Sequence, residues 1–125
     1  RMARKKSPPD GVTFMGFAPD IAKIYDPGAI LLSPAFLAGG IKTKILESFS
    51  FGAPVIGTSL SFEGLDAKYP LAFETVEEME VFIMNIGAHQ TVLHSAQQIG
   101  NAFVRRHCAP AVFETCWDRI VGMRP

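Results

Sequence analysis

Residues 29–57 read AILLSPAFLAGGIKTKILESFSFGAPVIG, and the order of apolar and small residues along this stretch decides the fold. Ala29-Ile30-Leu31-Leu32 is a continuous apolar run closed by Ser33-Pro34, the mark of a central strand covered on both faces. Gly39-Gly40 opens the next segment, in which Ile41, Ile45 and Phe49 recur at four-residue spacing until Gly52 stops the helix. Pro54-Val55-Ile56-Gly57 is then a second buried strand. Parallel strands need a crossover connection, and a helix between two buried strands supplies it.

Working outward, the same alternation extends in both directions. Gly11-Val12-Thr13-Phe14-Met15-Gly16 alternates between glycines and predicts a short strand. Pro19 and Asp20 start a helix carrying Ile21, Ile24 and Tyr25 on one face, stopped by Pro27-Gly28. Downstream, Leu71-Ala72-Phe73 suits a further short strand. Val76 to Ile86 reads as a helix with Glu77, Glu78 and Glu80 outward and Met79, Phe82, Ile83 and Ile86 inward. Two more helices are expected from about Gln90 to Arg106 and, after Pro110, from about Ala111 to Val121. The fold expected is α/β: a Rossmann-like parallel sheet flanked by helices, with a helical tail. Residues 1–10 are basic and proline-bearing and read as a linker or frayed end, leaving 11–125 as the folded part.

Composition narrows the function. Twelve Lys and Arg balance twelve Asp and Glu over 125 residues, so there is no basic footprint for nucleic acid. The longest apolar stretch is too short to span a bilayer, and the basic start is followed by Pro8-Pro9-Asp10 where a signal peptide needs an apolar run. Cys108 and Cys116 are too few for a disulfide framework and are expected as half-buried free thiols in a reducing, cytoplasmic setting. Arg1 is not a start methionine, so the chain is expected to be part of a longer protein.

The chemistry concentrates on one stripe. In a doubly wound sheet, ligands bind beyond the carboxyl ends of the strands, where loops lead into helix N-termini. The Ser33 to Thr43 loop occupies such a place, and its glycines let backbone approach a ligand while the first N–H groups of the helix suit a phosphate. At about 100° per residue, Gly40, Thr43, Lys44 and Glu47 fall on one face and Ile41, Ile45 and Phe49 on another. A phosphate at the N-terminus and a carboxylate roughly two turns along can hold a nucleotide diphosphate and its ribose hydroxyls together. Periodicity alone favours the plainer reading, an exposed Glu47 paired with Lys44 in an i, i+3 contact.

The longer string settles the weight. Gly40-Ile41-Lys42-Thr43-Lys44-Ile45-Leu46-Glu47-Ser48, then Gly52-Ala53-Pro54-Val55-Ile56-Gly57-Thr58 and Glu63-Gly64-Leu65, resembles the C-terminal donor-binding domain of the GT-B glycosyltransferases of family 4, group 1. The resemblance covers residues 11 to 65 closely and the helical tail loosely, and it makes the chain a truncated form of that domain. It implies that Glu47 binds the nucleotide ribose and that Gly39, Gly40, Ile41, Thr43 and Lys44 lie near the diphosphate. Many family members carry a second glutamate eight positions before Glu47, reaching the transferred sugar. This chain has Gly39 there, so sugar identity stays open. Glu63 and Gly64 are candidates to line the cleft, and a simple loop turn explains them equally.

The resemblance further implies transfer of a sugar from a nucleotide-sugar donor to an acceptor hydroxyl with retention. No cofactor is implied and no metal is expected, which agrees with the lack of an Asp-x-Asp string. The acceptor, a glycan or a lipid-linked group, belongs to an N-terminal domain outside this chain, so the isolated fragment is expected to be inactive. A lipid acceptor would place the protein at the inner membrane surface. The competing reading is a non-catalytic binding or interaction module of the same fold. An incomplete sheet with an open edge also makes a homodimer of the fragment expected.

Other motifs fail on inspection. Ile41 stands where a P-loop needs glycine before its lysine, and no Gly-x-Gly-x-x-Gly string follows a strand. His89, His94 and His107 have no spaced acidic partner and read as surface or packing residues. Phe113, Trp117 and Ile120 share helical spacing and are expected in the core.

Overall fold

A computed structural model describes residues 7–37, 42–65 and 68–122. Three parallel strands form its sheet in the order β1-β2-β3: β1 Leu31–Ser33, β2 Val55–Thr58 and β3 Ala72–Phe73. Leu31 pairs with Val55 and Ser33 with Gly57 on one side of β2, and Gly57 pairs with Ala72 on the other. Four α-helices accompany the sheet: α1 Thr43–Ser50, α2 Val76–Met84, α3 Gln90–His107 and α4 Pro110–Val121. The molecule is thus mixed α/β, a parallel sheet flanked by helices, and β1-α1-β2 is the crossover unit that residues 29–57 predict.

The covered strand is β2. Successive strand side chains point to opposite faces, and Val55 and Ile56 are both fully buried, so both faces of β2 are packed. Around them lie Ile45 and Phe49 of α1, Phe62, Tyr69, Leu71, Met79 of α2, and Leu93 and Ala96 of α3. Tyr69 tilts against both Phe49 and Phe62, and its hydroxyl accepts the Val55 amide at 3.0 Å. A buried phenol in this way serves the first amide of β2. α2 starts on a capping box in which Thr75 accepts from the Glu78 amide and Glu78 accepts from the Thr75 amide. Met79 is its buried residue, with Glu77, Glu78 and Glu80 exposed as the pattern requires. α3 packs on α1 and donates from Gln97 Nε2 to the Gly52 carbonyl at 2.7 Å.

Several expectations are corrected here. No strand forms over Gly11–Gly16: the segment carries no ladder, and the Val12 amide turns back to Pro9. Alternation supplies a face but not a partner, and Phe14, Met15 and Phe17 stay exposed. The helix after Asp20 shrinks to a single 3₁₀ turn, Ile21–Lys23, with Ile21 and Ile24 left exposed and without a surface to cover. The Ala29–Leu32 run yields β1 as a strand at the sheet edge, with Leu32 54% exposed, and the central place passes to β2. Phe113, Trp117 and Ile120 line up as their spacing requires, but the face is open, Trp117 being 56% exposed. Cys108 and Cys116 are likewise exposed, not half-buried. The open face and the exposure of Cys116 go with α4, which has no buried residue of its own, whereas Cys108 is the C-cap of α3.

Candidate functional site

Helix α1 forms because Ile45, Ser48 and Phe49 fall on its inner stripe, where each is buried. Ser48 completes that face by donating to the Ala53 carbonyl at 3.0 Å, while the Ala53 amide returns a bond to the Ser48 carbonyl at 2.9 Å. The chain is thereby turned directly into β2. The opposite stripe is open: Thr43 and Lys44 are exposed and Glu47 is partly buried. Gly39, Gly40 and Ile41, the other diphosphate candidates, lie outside the described residues. The structure therefore brings Thr43, Lys44 and Glu47 onto one face of one short helix.

Glu47 is not paired with Lys44 among the described residues. Its Oε1 accepts the hydroxyl of Tyr25 at 3.1 Å, across 22 positions of sequence. The Tyr25 ring stacks on Phe51, with centroids 5.0 Å apart and planes 10° from parallel. Phe51 caps the C-terminus of α1 and donates its amide to the Glu47 carbonyl at 3.2 Å. Burial first, then the hydrogen bond and the negative charge of Glu47, hold the Tyr25 phenol above its ordinary pKa, so it remains a proton donor through the neutral range. The spacing of Tyr25 marks it only as a packing residue, and nothing in that spacing reveals that it reaches α1.

At the carboxyl ends of the strands, hydroxyls organise the loop that leads toward α1. Thr58 Oγ1 donates to the Ala35 carbonyl at 2.7 Å, Ser61 Oγ donates to the Ser33 carbonyl, and the Ala35 amide donates to Ser61 Oγ at 3.3 Å. Each hydroxyl has one proton and both are aimed at carbonyls, so the 3.2 Å Thr58–Ser61 contact is the weaker arm. Gly57 is required beside this cluster, because a Cβ there would come within 2.7 Å of the Ser33 carbonyl oxygen. Ser59 adds a 2.6 Å bond to Glu74 at the next strand end. The sequence signal for this shelf is the hydroxyl run Thr58-Ser59-Leu60-Ser61 immediately after a buried strand.

Two depressions lie at opposite ends of the sheet. One, of about 550 Å³, sits over the carboxyl ends and is lined by Ala35, Phe36, Thr58, Ser59 and the start of α2. The other, of about 560 Å³, lies at the amino ends between Tyr25, Phe51, Gln90, His94 and Gln97. Doubly wound sheets bind ligands at the first end. Glu47 lines neither and is joined to the second through Tyr25. Glu63 and Gly64 form an exposed turn after the Ser59–Phe62 3₁₀ helix, Gly64 at a φ of +92° and the Leu65 amide bonded to the Phe62 carbonyl. They line neither depression. His94 contacts Gln98 and His89 stacks on Phe82.

Among the described residues no group of three His, Cys, Asp or Glu is placed to hold a metal ion, and no helix is long and apolar enough to cross a membrane. Residues 1–86 match the family described as glycosyl transferases group 1. No curated protein and no solved structure matches the chain.

Proposed function

The chain belongs to the group 1 glycosyl transferases, and on that premise we propose that it is the donor-binding part of an enzyme moving a sugar from a nucleotide-sugar to an acceptor hydroxyl. In that reaction the bond between the sugar and the diphosphate breaks, the diphosphate leaves with the electron pair, and the acceptor oxygen, losing its proton, takes the sugar with retention. The work required of this domain is to hold the nucleotide and stabilise the leaving diphosphate.

Its own residues suit that work. Lys42 is the N-cap of α1, and a lysine has no acceptor with which to cap the first-turn amides. Exposed Lys44 on the first turn adds positive charge at the positive end of the helix dipole, an arrangement that favours an anion there. On the same face Glu47 keeps acceptor sites beyond the one used by Tyr25, as a ribose needs. The placement of Glu47, partly buried and fixed on the open stripe of α1, carries the reading. Gly39, Gly40, Ile41, Thr43 and Lys44 complete the donor site in this proposal, with Glu63 and Gly64 as a cleft edge. The acceptor, a glycan or lipid-linked group, falls to a second domain, with the protein in the cytoplasm at the inner membrane surface.

Ligand-observed NMR with UDP and GDP, on this chain and on Glu47→Ala, tests the reading. Binding of one diphosphate that disappears in Glu47→Ala is expected. Binding indifferent to Glu47, or none at all, overturns the assignment of this stripe.

A further inference from the structure

We propose that Tyr25 is the positioning residue of the ribose site, its hydroxyl fixing the Glu47 carboxylate so that the remaining lone pairs meet the paired hydroxyls of a nucleotide ribose. This rests on the donor-binding reading of Glu47 and adds to it a residue that the resemblance does not assign.

The geometry carries it in three steps. A glutamate on an exposed helix face has three rotatable bonds, so a carboxylate that must accept two hydroxyls at once loses affinity to its own freedom. Tyr25 removes that freedom with a 3.1 Å bond to Oε1, leaving Oε2 and one lone pair of Oε1 for ligand. The donor is itself rigid. Its ring lies on Phe51 at 5.0 Å, and Phe51 is tied by its amide to the Glu47 carbonyl, so phenol, stack and carboxylate are all anchored at the last turn of α1. Tyr25 follows the short Ile21–Lys23 turn and precedes β1, hence the contact joins the segment before the sheet to the helix after its first strand. A latch with a purely structural role would make the same contact, and it differs only in what it does to ligand selectivity.

The test compares UDP with 2′-deoxy-UDP, and GDP with 2′-deoxy-GDP, by ligand-observed NMR on the whole 125-residue chain and on Glu47→Ala, Tyr25→Phe and Phe51→Leu. Tyr25→Phe keeps the ring stack and deletes only the hydroxyl. For whichever diphosphate the wild type binds, Tyr25→Phe is expected to weaken the ribonucleotide by roughly fivefold to tenfold, the size of one hydrogen bond, and the deoxynucleotide by less. The ribo-to-deoxy ratio therefore narrows. Phe51→Leu loosens the stack with the hydroxyl present and is expected to narrow the ratio in the same direction by a smaller factor. An unchanged ratio in Tyr25→Phe, whatever happens to overall affinity, overturns the proposal while Glu47→Ala still reports on the nucleotide site. Wild-type chain that binds no diphosphate overturns the donor-binding reading and this proposal with it.

Discussion

Tyr69 and Tyr25 are the two tyrosines of the chain, and they differ in what their hydroxyls do. Tyr69 is buried and accepts the Val55 amide, and burial pushes its pKa up to about 12 although the amide bond pulls the other way. A phenol whose folded pKa lies above its unfolded value of 10.0 stabilises the fold fully below pH 10, and that contribution fades as pH climbs toward about 12. Tyrosinate absorbance is expected to show one phenol ionising only at the alkaline limit, with thermal stability falling in the same window, by about 1.4 kcal/mol per unit of pKa difference. Tyr69→Phe should delete that late step. Persistence of the late step in the variant would sink the account. The local half of such arguments is legible in sequence: Glu47 on the outer stripe follows from a period of about 3.6 residues. Its tie to Tyr25 is not, because no local rule links positions 25 and 47.

At the level of elements, the contact between α1 and α3 depends on one absent side chain. Gly100 sits inside α3, where glycine ordinarily costs about 1 kcal/mol against alanine. A Cβ there would approach Phe49 Cε1 and Cγ to 2.8 Å, and Phe49 is fully buried with no room to yield. Gly100→Ala is therefore expected to destabilise the chain by about 1–3 kcal/mol, overpacking outweighing helix propensity. A raised melting temperature by circular dichroism would contradict it. The helices themselves were readable: Thr75 with Glu78, Pro110 at the first turn and Gly52 past α1 are chemical boundaries that act locally. The upstream strand and helix were not, since Val12, Phe14 and Ile21 carry a pattern whose outcome depends on a neighbouring surface. Strand propensity is a preference for a half-covered pleated surface, and that surface is a property of the tertiary structure.

For the molecule as a whole, apolar surface is unevenly distributed. Phe14, Met15 and Phe17 in the segment before β1, Leu32 in β1, Phe36 and Leu37 just after it, and Phe113, Trp117 and Ile120 on α4 are all exposed. Edge strands and contiguous apolar patches favour pairing with another copy. Light scattering at rising concentration is expected to give a mass above the 13.6 kDa of one chain, and a constant monomer mass would remove the expectation. The sequence by itself determined the parallel β-α-β order, the buried and open stripes of α1, the boundaries of α2, α3 and α4 and the family, because these depend on residue spacing and local capping. Only the tertiary structure decided that β2 and not β1 is the covered strand, that the hydroxyls of Thr58 and Ser61 bind the β1 loop, that α4 leaves its apolar face open and that Glu47 meets Tyr25. Those outcomes depend on which surfaces come together across long stretches of chain, and side-chain periodicity carries no information about the partner.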